Sequence, residues 1–289
     1  KAKTIIDTKI KGTSLQSISQ AAGVPVGTVD SIAFNSLVLP NNLGNEIKAW
    51  MKSKGFISDF IQTDKIYATG IVNADVSDKN HVTYEIVEPA AWDFIEDDDE
   101  IQGLVENSYA LVFGTLACRN EESRKCLFRL LEKAPLKIFD VNLRAPHYSQ
   151  ELVESMLHRA DIVKMNEDEL QLIAGWHGID EKNERKQISD LMGAFNIPTL
   201  LVTCGANGAI LSDAVNFYEC EGFKVKVADT IGSGDSFLAG FLKKYLEGKP
   251  WQEALTHACA LGALVATHHG AIPFVTGEEI LNLIDRKGK

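Results

Sequence analysis

Asp229-Thr230-Ile231-Gly232-Ser233-Gly234-Asp235 is the stretch on which the fold turns. Ahead of it, Lys224-Val225-Lys226-Val227-Ala228 alternates lysine with valine, the period of a strand. Behind it, Phe237, Leu238, Phe241, Leu242, Tyr245 and Leu246 recur as an apolar helix face. The segment therefore reads as strand, glycine turn, helix. The first N–H groups of a helix have no internal acceptor, and glycines let an anion come close, so this turn is expected to bind a phosphate-like group. Two common phosphate loops are excluded. The third glycine of a dinucleotide fingerprint is Phe237 here, and no Gly-Lys-Ser/Thr follows. Asp235 is the informative residue. A carboxylate at a helix start complements the dipole, yet it repels an anion held by the same amides. The conflict resolves if Asp235 takes a proton from an incoming hydroxyl while the amides of Gly232, Ser233 and Gly234 stabilise a transferring phosphoryl group.

Outward from this turn, strand and helix alternate from about residue 105. Tyr109–Phe113, Leu136–Val141, Ile162–Met165 and Thr199–Thr203 read as strands, and Glu121–Lys133, Gln150–Arg159 and Glu167–Ala174 as helices. Such alternation implies parallel pairing with right-handed crossovers, hence a doubly wound, mostly parallel α/β sheet whose ligands sit beyond the carboxyl ends of the strands. Two features interrupt the pattern. Ile66–Ala74 and Val82–Ile86 flank the turn Ser77-Asp78-Lys79-Asn80 and predict a hairpin over about 65–86, a small β-sheet that covers a site or meets a second subunit. The acidic run Glu96-Asp97-Asp98-Asp99-Glu100 reads as a solvated helix entry, where carboxylates suit the dipole.

The 289 residues are 45% hydrophobic and 24% charged, ordinary for a globular protein, and no linker or repeat divides them. Acidic residues exceed basic ones by 40 to 29, a net charge of −11 that disfavours nucleic acid and anionic membrane surfaces. No stretch reaches the roughly 18 apolar residues of a membrane span, and the first residues lack a signal-peptide pattern. Five cysteines, none in a C-x-x-C pair, read as small buried hydrophobes of a reducing cytoplasm rather than a disulfide or zinc framework.

Asp229 to Phe237 resembles the C-terminal signature of the ribokinase-like (PfkB) carbohydrate kinases. Further segments are similar at family spacing: Asn166-Glu167-Asp168-Glu169 to an Asn-x-x-Glu motif, Val202–Ala209 to a Thr-x-Gly-x-x-Gly strand and turn, Phe139–Arg144 to an Asp-x-Asn-x-Arg strand end, and His268–Ala271 to a Gly-Ala turn. Tyr84-Glu85-Ile86, Ala91-Trp92-Asp93, Arg119–Arg124 and Asn142–Tyr148 are similar to bacterial fructokinases. The resemblance implies a single ribokinase-like domain over 1–289 with a β-sheet lid. It also implies ATP-dependent phosphorylation of a sugar, with fructose as first choice and another sugar, a nucleoside or a silent binding relative as alternatives. Asp235 is then the base, and Gly232, Ser233 and Gly234 the anion hole. Asn166 and Glu169 organise Mg2+ through water, which suits an ion that keeps much of its hydration shell. Thr203, Gly205, Gly208, Ala263, Thr267 and Gly270 line the nucleotide, and Asn142 and Arg144 face the sugar. Asp229 is the family position for a monovalent cation, with K+ left open. A homodimer through the lid is also implied. Each residue has a structural role open to it as well: Asn166 as a helix cap, Glu169 as a surface acid, Asp140 and Arg144 as an ion pair. The family's opening sugar-binding motifs are not visible in residues 1–42, where Ala22–Gly27 is only a faint echo, so the sugar anchors are unassigned.

Overall fold

The structure, a computed structural model, describes residues 2–6, 29–33, 42–53, 55, 59–78, 81–179, 183–270 and 272–287, with backbone alone at 2–6, 29–33, 42, 73–78, 81–85 and 287. The faint echo at Ala22–Gly27, the turn residues Lys79 and Asn80, and Ala271 lie outside the described residues.

The alternation beyond residue 105 becomes the centre of an eight-stranded sheet. Strands β1 (Ala2–Ile6), β2 (Val29–Ala33), β5 (Ala110–Gly114), β6 (Lys137–Asp140), β7 (Ile162–Asn166), β8 (Thr199–Thr203), β9 (Gly208–Ser212) and β10 (Phe217–Glu221) lie in the order β10-β9-β8-β7-β6-β5-β1-β2. Pairing is parallel from β8 through β2 and antiparallel at the β8–β9 and β9–β10 edge. The period of two sorts each strand onto two cores. Leu111, Phe113, Phe139, Val163, Met165, Leu200 and Val202 face one core. It is covered by α2 (Asp99–Glu106), α3 (Glu121–Lys133), α4 (Gln150–Leu157), α5 (Glu167–Trp176) and α6 (Glu184–Phe195). Ala110, Val112, Ile138, Ile162 and Leu201 face the other. Its cover is α1 (Asn42–Ser53), α7 (Ser233–Leu246), α8 (Trp251–Ala266) and α9 (Gly277–Lys287). Lys164 and Asp140 continue this second stripe, two residues past Ile162 and Ile138.

Strands β3 (Val72–Asp78) and β4 (His81–Ile86) form the expected hairpin as a separate two-stranded antiparallel sheet. Its first strand starts at Val72, not at Ile66. Residues 65–71 are instead held irregularly: Asp64 Oδ1 accepts from the N–H groups of Ile66 and Tyr67, and the Tyr67 ring stacks on Phe94 at 3.9 Å. The acidic run enters a helix as read. Asp98 caps α2 through Ile101 N–H, and Asp97 pairs with Arg129. The five cysteines are buried, as read. The Lys224–Ala228 strand is not formed. β10 already occupies the sheet edge, and the Ala228 and Asp229 N–H groups donate to Ala266 O at the end of α8, so this segment follows a helix rather than a strand. Among the described residues no helix is long and apolar enough to cross a membrane.

Candidate active site

The glycine turn is built by backbone contacts from three directions. Gly232 caps α7 with φ 80°, a left-handed conformation that favours glycine, and its carbonyl accepts from Ser236 N–H at 2.9 Å. The Ser233 amide is committed to Thr230 O at 3.2 Å. Gly234 and Asp235 occupy the first turn of α7, where the helix supplies no carbonyl for their N–H groups. Asp229 fastens the approach: Oδ1 accepts from Ile231 N–H at 3.0 Å and Oδ2 from Gly270 N–H at 3.1 Å. Those two bonds hold its carboxyl below the usual range, and each oxygen keeps a lone pair for a cation. From behind, α8 comes so near that a Cβ on Gly262 would stand 3.1 Å from Ser233 O. Asp235 is half-buried, and Ser236 after it is fully buried.

Opposite the turn lie the carboxyl ends of β6, β7 and β8, the place expected for ligands in such sheets. Asp140 stands beside Lys164, and Asn166 beside Thr203, in register. Lys164 is the residue that sequence reasoning missed. It is buried, its Nζ donates to Asp140 Oδ1 at 3.0 Å, and a Cβ on Gly234 would lie 3.2 Å from that Nζ. Burial works against the ammonium, but Asp140, Asp235 and Glu169 outweigh it and raise its pKa, so the cation persists beneath the turn. A lysine inside the otherwise apolar Ile162-Val163-Lys164-Met165 was the available signal, since an unpaired charge is not buried there without a reason. The ion pair open to Asp140 and Arg144 is not made: Asp140 pairs with Lys164, and exposed Arg144 donates to Leu143 O.

Asn166 and Glu169 meet as a capping box at the start of α5: Asn166 Oδ1 accepts from Glu169 N–H, and Glu169 Oε2 from Asn166 N–H. Glu169 is not a surface acid. It is 7% exposed, and its Oε1 accepts from Leu143 N–H at 2.8 Å. Burial raises its pKa, with Asp140 adding to the effect, while the backbone bonds to Asn166 and Leu143 and nearby Lys164 pull the other way. Asn142 takes φ 42° at the end of β6, a strained value for a side-chain-bearing residue, and its carbonyl lies 3.4 Å from Thr115 Oγ1. Thr203 reaches Met165 O at 3.4 Å. Gly205 is exposed on the turn after β8. Gly208 is buried with φ 100°, and a Cβ there would overlap Cys220 O at 1.9 Å, which gives this glycine a structural duty of its own. Ala263, Thr267 and Gly270 line the end of α8, where Thr267 Oγ1 donates to Leu264 O. Glu167, Glu184 and Cys204 also converge nearby. Burial and the neighbouring carboxylates push the Cys204 thiol up to about 12, the wrong direction for a thiolate ligand.

This arrangement is a glycine turn at a helix start with a carboxylate on its rim and an ammonium beneath it. The sequence profile of the pfkB family of carbohydrate kinases matches residues 31–276. The chain belongs to that family. Its curated relatives are distant. A fructokinase-2 of Solanum habrochaites is 25% identical over 87% of this chain and 81% of its own length. A 2-dehydro-3-deoxygalactonokinase of Haloferax volcanii is 29% identical over 55% of this chain, which spans only half of that relative. Among solved structures, a Vibrio cholerae fructokinase in a fructose-, ADP- and calcium-bound form superposes with a TM-score of 0.78, covering 98% of this chain and 96% of its own at 22% identity. That likeness fixes a ribokinase-type fold for this pfkB chain.

Proposed function

We propose that this pfkB chain transfers the γ-phosphoryl group of ATP to a hydroxyl of fructose. The carrying observation is Asp235 in the first turn of α7, on a glycine turn backed by the Lys164 ammonium. Asp235 accepts the hydroxyl proton. The freed oxygen forms its bond to the γ-phosphorus as the bond to ADP breaks, and the proton stays on Asp235 until product leaves. The Gly232 and Gly234 amides face the oxygens of the group in flight, whereas the Ser233 amide, expected beside them, donates to Thr230 O instead. Thr203, Gly205, Gly208, Ala263, Thr267 and Gly270 flank the nucleotide, and Asn142 and Arg144 the sugar. Asn166 and Glu169 suit Mg2+ held through water, because the Glu169 oxygens each receive one N–H and retain a second lone pair. The ion would supply charge neutralisation for the phosphates. Asp229 is the residue for K+. The β3–β4 hairpin serves as lid over the sugar and as a contact in a homodimer, since a lone two-stranded sheet is marginal by itself and closure keeps water from the phosphoryl group.

A second reading, phosphorylation of an acidic keto sugar, is favoured by exposed Arg144 and by the Haloferax relative's activity. A coupled ADP-release assay over fructose, other hexoses, ribose, nucleosides and 2-keto-3-deoxy sugar acids tests both. The kinase reading requires turnover on one of them that Asp235→Asn lowers by about 10²-fold or more. A full panel without ADP release overturns it, and turnover on a sugar acid but not fructose selects the second reading.

A further inference from the structure

Asp140 and Lys164 sit in the same register as Ile138 and Ile162 one step earlier, on the face covered by α7 and α8. Their side chains are only 10% and 8% exposed. A buried ion pair is not favoured over two well-packed apolar side chains, and the preceding pair of isoleucines shows that this face accepts them. The fold therefore does not need the charges. Asp140 bonds the ammonium at 3.0 Å, and Asp235 directly follows Gly234, whose Cβ position lies 3.2 Å from the same Nζ. Glu169 is held by the N–H groups of Leu143 and Asn166. Released from Asp140, the ammonium is free to turn to Asp235, which follows Gly234.

Resting on the kinase reading above, we propose that Asp140 is a positioning residue for phosphoryl transfer. It holds the Lys164 ammonium against Gly234, where the charge faces the phosphoryl group, and keeps it from neutralising the Asp235 carboxylate. Gly234 belongs to the same device. A Cβ there would crowd the ammonium at 3.2 Å.

The test uses the full chain carrying Asp140→Asn, Lys164→Met, both together, and Gly234→Ala. Readouts are kcat and KM on the sugar found by the panel, melting temperature, and ATP and ADP affinity by calorimetry. Asp140→Asn is expected to lower kcat on the order of 10²-fold with KM for sugar little changed. The double variant is expected to be no slower than Lys164→Met alone, because Asp140 acts only through the lysine. Lys164→Met is expected to weaken ATP more than ADP, which needs no sugar to measure. Should Asp140→Asn fail to fold, Gly234→Ala displaces the ammonium from the other side at a helical position that tolerates alanine, and it too must lower kcat. Wild-type kcat in Asp140→Asn or Gly234→Ala overturns the proposal while leaving the kinase reading intact, as do losses that simply add in the double variant. A wild-type chain that binds ATP but phosphorylates nothing overturns the kinase reading instead, and equal ATP and ADP losses in Lys164→Met then overturn the positioning role as well.

Discussion

The glycine turn and the β3–β4 hairpin are held in place by different means. The turn is gripped by elements far apart in sequence: Asp229 ties it to Gly270, Gly262 admits Ser233 O, and the Lys164 ammonium lies close against Gly234. Among the described residues the hairpin shares no strand pairing with the main sheet, and it is gripped at its root. There Arg119 makes a two-pronged ion pair with Asp93 at 2.6 and 2.7 Å, donates to Val87 O, and lies 4.0 Å over the Trp92 ring. A small separate cluster of Ala90, Trp92 and Leu116, with Ile86 against it, completes the root. Chemistry that depends on fixed dipoles belongs at the first region. On the proposed kinase reading, motion that admits and encloses a substrate would fall to the second.

The largest effect that this contrast predicts is at the turn. Asp235→Asn should keep the fold and ATP binding but lose about 10²–10⁴ in turnover, or roughly 3–5 kcal/mol of barrier. Turnover near wild type in a coupled assay would remove the base from the scheme. Next comes the hairpin root. Arg119→Met leaves the buried Asp93 without its partner, a loss of about 3 kcal/mol. Its expected signature is faster hydrogen exchange through Val72–Ile86 and a raised KM for sugar, with kcat less affected than in Asp235→Asn. Arg119→Lys should recover part of it. Exchange that instead rises evenly over the whole sheet would erase the distinction between the two regions. Smaller still, Glu169→Gln should raise the Mg2+ concentration for half-maximal rate several-fold. An unchanged titration would reduce Glu169 to a cap. The least is expected from Arg129→Met, which frees Asp97 at the entry to α2. Arg129 holds that carboxyl below its usual range, so its stabilisation is present above the unfolded value and is lost as pH falls through the lower folded one. The variant should lose only a small stabilisation at neutral pH and show no extra loss between the two values, measured by urea melts across the acid range.

The sequence made the turn-centred region far more legible than the hairpin. Strands β5 to β8 are apolar runs buried on both faces, so composition alone reveals them, and the glycine turn carries its own chemistry. Lys224–Ala228 misled because the alternation of letters was not an alternation of burial: Val225 is partly covered, but Val227 is exposed, and the Ala228 N–H bonds the end of α8. The hairpin's late start has a similar cause: Ile66 and Tyr67 have strand-forming side chains, but Asp64 turns the backbone and Phe94 captures the ring. Lys164 and Asp140 were visible as letters, but their pairing depends on which residues of neighbouring strands stand side by side, and that register is decided by the whole sheet.

The closeness of Gly262 to Ser233 O has a consequence for how the molecule comes into being. A chain emerging from a ribosome has made the glycine turn well before it has made the middle of α8, and until that helix docks, nothing backs Ser233. The strands bearing Asp140 and Lys164 are older still, waiting with an ammonium that has no loop to support. Phosphate affinity should therefore be absent from every shorter nascent chain and arrive late in synthesis, once Gly262 can reach its seat.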